Sequence, residues 1–138
     1  MAAPRLALRP AVVIGVALGA VFLYLVSDEV MSELPDPVRV FGADRWRTAV
    51  AVAEHYATEG LDTRSVVVAS GVSANMVDAL PGGTLGQVVL LSRTDALPTS
   101  TTGWLEANED TEHAYVLGGE AALSEQVVEI LEGILGGR

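Results

Sequence analysis

The side chains best able to do chemistry in this chain follow short apolar runs. They are Asp44 and Arg45 in "FGADR", Ser70, Gly71 and Asp78 in "ASGVSANMVD", Ser92, Arg93 and Asp95 in "LSRTD", and Gly118 and Gly119 in "LGGEAALS". Their types fit binding better than bond-breaking. Neither His55 nor His113 has a nucleophile beside it in sequence, the carboxylates are scattered singly, and no metal-ligand spacing emerges. A dinucleotide site needs G-x-G-x-x-G between strand and helix, a phosphate-binding loop needs a lysine, and a nucleophile elbow needs G-x-S-x-G. None of these occurs, and the chain has neither lysine nor cysteine. Disulfides, thiolate metal sites and cysteine nucleophiles are thereby excluded. "LGGEAALS" can offer backbone amides to an anion at a helix start, although a tight turn is the plainer use of Gly-Gly. The expectation is a protein without catalysis and without a cofactor.

The elements that must position these residues alternate. "VRVFG" (38–42) has strand composition and ends in glycine; Asp44 can cap the helix that follows, and Gly60 can end it. Trp46, Ala49, Val50, Ala53 and Ala57 recur at helical spacing and give that helix one apolar face. "SVVVASG" (65–71) and "VVLLS" (88–92) are continuous apolar runs, the mark of strands buried on both sides. "MVDAL" (76–80) reads as a short helical turn broken by "PGG", "TSTTGWLEANED" (99–110) as a modest helix, and "HAYVLGG" (113–119) as a fourth strand. Ser124 can cap a last helix, with Val127, Val128, Leu131, Ile134 and Leu135 on one face. The fold class is therefore α/β: a small, Rossmann-like parallel sheet of about four strands flanked by helices. In open sheets of this kind ligands bind beyond the carboxyl ends of the strands, which is where the polar residues above gather.

Charge is split along the chain. "AVVIGVALGAVFLYLV" (11–26) is uncharged and apolar, with Arg5 and Arg9 before it and all 18 acids after it, against six arginines. As a helix it would span about 24 Å, a little short of a bilayer core. The arginine bias places the N-terminus inside and the rest outside. Residues 1–27 are read as a signal-anchor or transmembrane helix. An uncleaved anchor is favoured over a cleaved signal because no small-x-small cleavage site follows. Residues 28–37, rich in acids and closed by two prolines, read as a linker, and 38–138 as one domain. The acidic balance excludes duplex nucleic acid as a partner, because its binding rests on neutralising phosphates.

Arg45 and Arg47 both fall in the first turn of the 45–58 region, where the helix dipole disfavours cations. Arg45 is expected to hold a fixed partner, a rim carboxylate such as Asp78 or an acid of a neighbouring subunit. Arg47 is expected to be solvated.

Several segments resemble the cell-wall-binding repeats of type 2. "FGADRWRTAVAVAE" is similar to the opening R-x-x-G-x-D-R-y-x-T-A of that family at Arg39, Gly42, Asp44, Arg45, Thr48, Ala49 and Ala53, with Trp46 in the usual tyrosine place. "VVVASG…DAL" and "AYVLGGEAALSEQV" resemble two further blocks, and Val89, Leu90 and Leu91 stand where the family has an I-L-L-like stretch. The resemblance spans residues 38–135. It implies a small α/β sandwich and a secreted or membrane-tethered, non-catalytic module that attaches non-covalently to bacterial cell-wall polymer, either anionic polysaccharide or peptidoglycan. It also implies binding roles for Asp44, Arg45, Thr48, Ser70, Gly71, Asp78, Leu90, Leu91, Gly118 and Gly119. Because the family sets three repeats about a pseudo-threefold axis and this chain has one, it further implies a homotrimer. The sequence departs from the pattern by a shortened "LPGGTLGQV" (80–88) and by Gln87 in a usual proline place. The alternative is a diverged extracytoplasmic protein-interaction domain.

Overall fold

The computed structural model describes residues 27–72 and 74–137. The apolar run at 11–26 lies outside them; among the described residues no helix is long and apolar enough to cross a membrane. In chain order the elements are α1 (Asp28–Ser32), α2 (Arg45–Thr58), β1 (Ser65–Ser70), α3 (Ala79–Gly82), β2 (Val88–Ser92), α4 (Thr99–Ala107), β3 (His113–Leu117) and α5 (Glu125–Gly136), with 3-10 turns at Met76–Asp78 and Gly83–Leu85.

The sheet is parallel and three-stranded, in the order β2-β1-β3. Val66, Val67 and Val68 of β1 align with Val88, Val89 and Leu90 of β2, and with Ala114, Tyr115 and Val116 of β3. The central strand β1 is buried on both faces from Val66 to Ser70, and the edge strand β2 nearly so, because both sides of the sheet are covered. The strand expected at 38–42 is absent. Val38 and Phe41 are exposed there, and the Gly42 N–H goes to the Thr48 hydroxyl at 3.0 Å instead of to a ladder. This segment serves as the entry to α2 and adds nothing to the sheet.

Side chains alternate across the sheet. On one face Val66, Val68, Val88 and Leu90 meet Ala53 of α2, Trp104 and Leu105 of α4, and Leu123, Val127 and Leu131. That is the main core. On the other face Val67, Ala69 and Leu91 are buried as well, yet the cover there is the short α3 segment. It fits because Gly82 lies against the sheet: a Cβ on it would stand 2.9 Å from Val67 Cγ1 and 3.1 Å from Leu117 Cδ1. The "PGG" does not break the helical turn as its composition implies. Pro81 falls within the first turn of α3, where its missing N–H costs nothing, and the chain winds on through Gly83. Cover on this face is incomplete, leaving Val77, Leu80, Leu85 and Tyr115 exposed.

Caps fall largely where the sequence places them. Asp44 is extended and its Oδ1 accepts from Arg47 N at 2.8 Å, while Gly60 takes a left-handed φ of 78° just beyond α2. Ser124 has the backbone of an N-cap but its hydroxyl makes no capping bond; its own N–H donates to the Thr94 carbonyl at 2.7 Å. The acidic segment read as a linker contains one helical turn, α1, capped by Ser27 and joined to Arg39 through Asp28 at 3.2 Å.

Candidate functional site at the carboxyl rim

The three strands end together, and the loops leaving them form one rim. Cross-ties join the loops. Gly71 N donates to the Ser92 carbonyl at 2.8 Å, the Asn75 side-chain amide to the Ala121 carbonyl at 3.2 Å, and Ser124 N to the Thr94 carbonyl. Ser92 itself is buried, its hydroxyl turned toward the carbonyls of Arg93 and Ala96 in the turn that follows β2.

The "GADRWRT" stretch explains itself as a helix entrance. Gly42 is pressed onto the first turn of α2, where an added Cβ would lie 2.5 Å from the Arg47 carbonyl carbon. Thr48 Oγ1 accepts from Gly42 N and donates to the Asp44 carbonyl at 2.9 Å. Asp44 and Thr48 are thus engaged in holding the turn. The product of that geometry is the placement of Arg45 and Trp46 over the end of β1. Arg45 Nη1 donates to the Gly71 carbonyl at 2.5 Å. The partner is a backbone oxygen and not the expected Asp78, whose carboxylate lies against Gly118 instead: Oδ2 is 2.8 Å from where a Cβ on that glycine would stand. Arg47 is exposed, as expected of a solvated side chain.

Apart from Asp44 and Thr48 at the helix entrance, the residues given binding roles by the resemblance fall into two groups at the rim and one beneath it. Arg45, Ser70 and Gly71 cluster at the end of β1, with the Ser70 hydroxyl accepting from Val72 N at 3.2 Å. Asp78, Gly118 and Gly119 form the second group, at the end of β3; Gly118 has a φ of 104°, and the Gly119 carbonyl accepts from Ala122 N and Leu123 N. Leu90 and Leu91 are 0% and 2% exposed on opposite faces of β2. In this structure they are packing residues out of a ligand's reach.

At the centre of the site stand Arg93, gathered to the rim by the sequence reading, and Trp46, to which that reading gave no binding role. Two guanidiniums approach the Trp46 indole, with Arg93 4.2 Å and Arg45 5.6 Å from the ring centroid. Gly71 makes room for the ring, since a Cβ there would be 3.0 Å from Trp46 Nε1. That indole nitrogen is buried without a hydrogen-bond acceptor. The signal was present in the sequence as a tryptophan in a tyrosine place and an arginine just after β2, but only the fold brings the two together. A separate open groove of about 760 Å³ runs between α2 and α4, lined in part by Arg47, Glu54, Thr99, Gly103 and Asn108.

The family model for "Cell wall binding domain 2 (CWB2)" matches residues 39–128. No curated protein sequence matches the chain. Among solved structures the chain is similar to Cwp6 from Clostridium difficile, at 26% identity and a TM-score of 0.66. The match covers 78% of this chain and 17% of that one, so the chain spans only a small part of Cwp6. The matched segment runs from the entry to α2 through the first turn of α5, taking in the whole sheet and the rim, and the chain belongs to the cell wall binding domain 2 family.

Proposed function

We propose that this chain is a non-catalytic module, held at the membrane by its N-terminal segment, that attaches non-covalently to bacterial cell-wall polymer on the outer side. The observation that carries this reading is the family match over 39–128. Support for an outward domain comes from the charge split around residues 11–26. The polymer is either anionic polysaccharide or peptidoglycan. The net formal charge of −10 opposes an anionic polymer at long range. Screening limits that repulsion to about 8 Å at physiological salt, so a local cationic contact or a divalent bridge can prevail. The full chain, solubilised in detergent, should co-sediment with purified walls. Retention after chelation excludes a divalent bridge, and failure to sediment with any wall preparation overturns the reading.

A second reading, a protein-interaction domain, is favoured by the exposed apolar residues Val77, Leu80, Leu85 and Tyr115 on the thinly covered face. A homotrimer, as the family's threefold arrangement implies, would use such a face. Analytical ultracentrifugation of the full chain tests the trimer, which a monomer removes; cross-linking in cells tests the interaction domain, which recovery of one protein and no wall material supports and recovery of wall material alone overturns.

A further inference from the structure

We propose that Arg93, whose guanidinium lies over the Trp46 ring beside Arg45, forms a binding site for one anionic group, a phosphate or a carboxylate, at the carboxyl rim. The proposal deepens the wall-binding reading and rests on it for where the anion comes from.

The arginines of the described chain are otherwise engaged or apart. Arg39 pairs with Asp28, and Arg64 with Asp62. Arg47 stands exposed over the α2–α4 groove. In a chain with 18 acids and eight arginines, two guanidiniums converge on a single ring. From their distances to its centroid they are at most about 10 Å apart. Like charges at that spacing repel, and an anion bound beside them relieves the repulsion. Arg93 is exposed and makes no ion pair among the described residues; Asp95, two positions on, is exposed and does not turn back to it.

The stack prepares Arg93 for such a ligand. Cation–π contact over the indole is attractive even at an exposed site and biases a long side chain toward one pose. Beside the ring the Arg93 side-chain N–H donors make no hydrogen bond among the described residues, so they remain available to grip phosphate or carboxylate with two parallel hydrogen bonds. Less rotamer freedom is then lost on binding. The support beneath is firm, because Arg45 is itself fixed on the Gly71 carbonyl and the β1 and β2 ends are joined through Gly71 N and the Ser92 carbonyl.

The two tryptophans supply the test. Trp46 lies at the site, and Trp104 is buried in the main core as an internal control. In the full chain in detergent, the Trp46 indole N–H resonance is followed by NMR during titration with inorganic phosphate, glycerol phosphate and acetate. The expected result is a saturable shift of Trp46 with Trp104 unmoved. Affinity should fall at least tenfold in Arg93→Gln, fall less in Arg93→Lys, and stay unchanged in Arg47→Gln. Preference for glycerol phosphate assigns a phosphate ligand, and preference for acetate a carboxylate one. Linear, unsaturable shifts with every anion, or equal affinity in Arg93→Gln with its melting temperature intact, would overturn the site. Wall sedimentation of the same proteins separates the two readings. Wall binding without anion saturation at Trp46 ends this inference and leaves the wall module standing. Saturation at Trp46 without wall binding does the reverse.

Discussion

Arg45, in the first turn of α2, reaches across to the backbone carbonyl of Gly71 and clasps the end of β1. The contact joins a helix entrance to a strand exit 26 residues later. It accounts for a cation placed where the helix dipole is least favourable: the charge serves a tertiary bond whose worth exceeds the local cost of about 0.3–1 kcal/mol.

Arg45 and Arg47 should therefore respond differently to truncation. Arg45→Ala loses a charge-assisted hydrogen bond and one wall of the Trp46 stack, with an expected loss of about 1–2 kcal/mol. Arg47→Ala should be silent to within about 0.5 kcal/mol, since its backbone N–H still meets Asp44. Urea unfolding of the two variants reads the difference, and equal midpoints would refute it.

The helix entrance should be intolerant at Gly42. A Cβ there meets backbone atoms of Arg47 and Thr48 within about 2.6 Å, so the turn itself must move. Gly42→Ala is expected to cost more than about 2 kcal/mol. Thr48→Val keeps the shape but leaves Gly42 N without its acceptor, at about 1–3 kcal/mol. Thermal unfolding monitored by circular dichroism gives both values.

Gly82 should show a size exchange. Gly82→Ala pushes a methyl to within 2.9 Å of the buried Val67, costing about 1–3 kcal/mol. Combined with Val67→Ala, the penalty should be less than the sum of the two single changes, because the second removes the obstacle met by the first. A double-mutant cycle in urea measures the coupling, and strict additivity would show that α3 does not sit on the sheet as described.

Asp62 should titrate far below its ordinary range. The Arg64 side chain, then the Arg64 backbone N–H, hydrogen-bond its carboxylate and bring it from 3.8 to about 2. A folded-state value below the unfolded one means the carboxylate form is favoured by folding. The contribution is complete above pH 3.8 and fades as pH falls toward about 2. NMR titration of the Asp62 carboxyl should place its midpoint low, and Arg64→Gln should move it up toward 3.8.

Much of this architecture can be read from the chain, and the failures have physical causes. "SVVVAS" and "VVLLS" announce strands covered on two sides because a run without alternation can be buried only between two covered faces. Asp44 and Gly60 mark α2 correctly because capping is local chemistry. "VRVFG" misleads because β-propensity reports a fit to a pleated, half-buried surface, and residues 38–42 find a helix start where a strand would need a neighbour. The rim residues are legible as a set, since topology alone carries strand ends to one side. Their partners are not: whether Arg45 meets Asp78 or the Gly71 carbonyl depends on loop paths that no periodicity encodes. For the same reason the Arg93–Trp46 stack, spanning 47 positions, becomes visible only in three dimensions.

The cross-ties among the loops after β1, β2 and β3 carry one more consequence. Residues 75 and 121, 94 and 124, and 71 and 92 are bonded in pairs, so a residue inserted into any one of these loops shifts the anchor of another. At the opposite end of the sheet the turns at Gly60 and Gly86 are left-handed and open to solvent: a Cβ at either would meet nothing within 4 Å, although the backbone there favours glycine. Evolution and protein engineers alike can lengthen the chain at those two turns, or splice a reporter there, while the rim must be inherited whole.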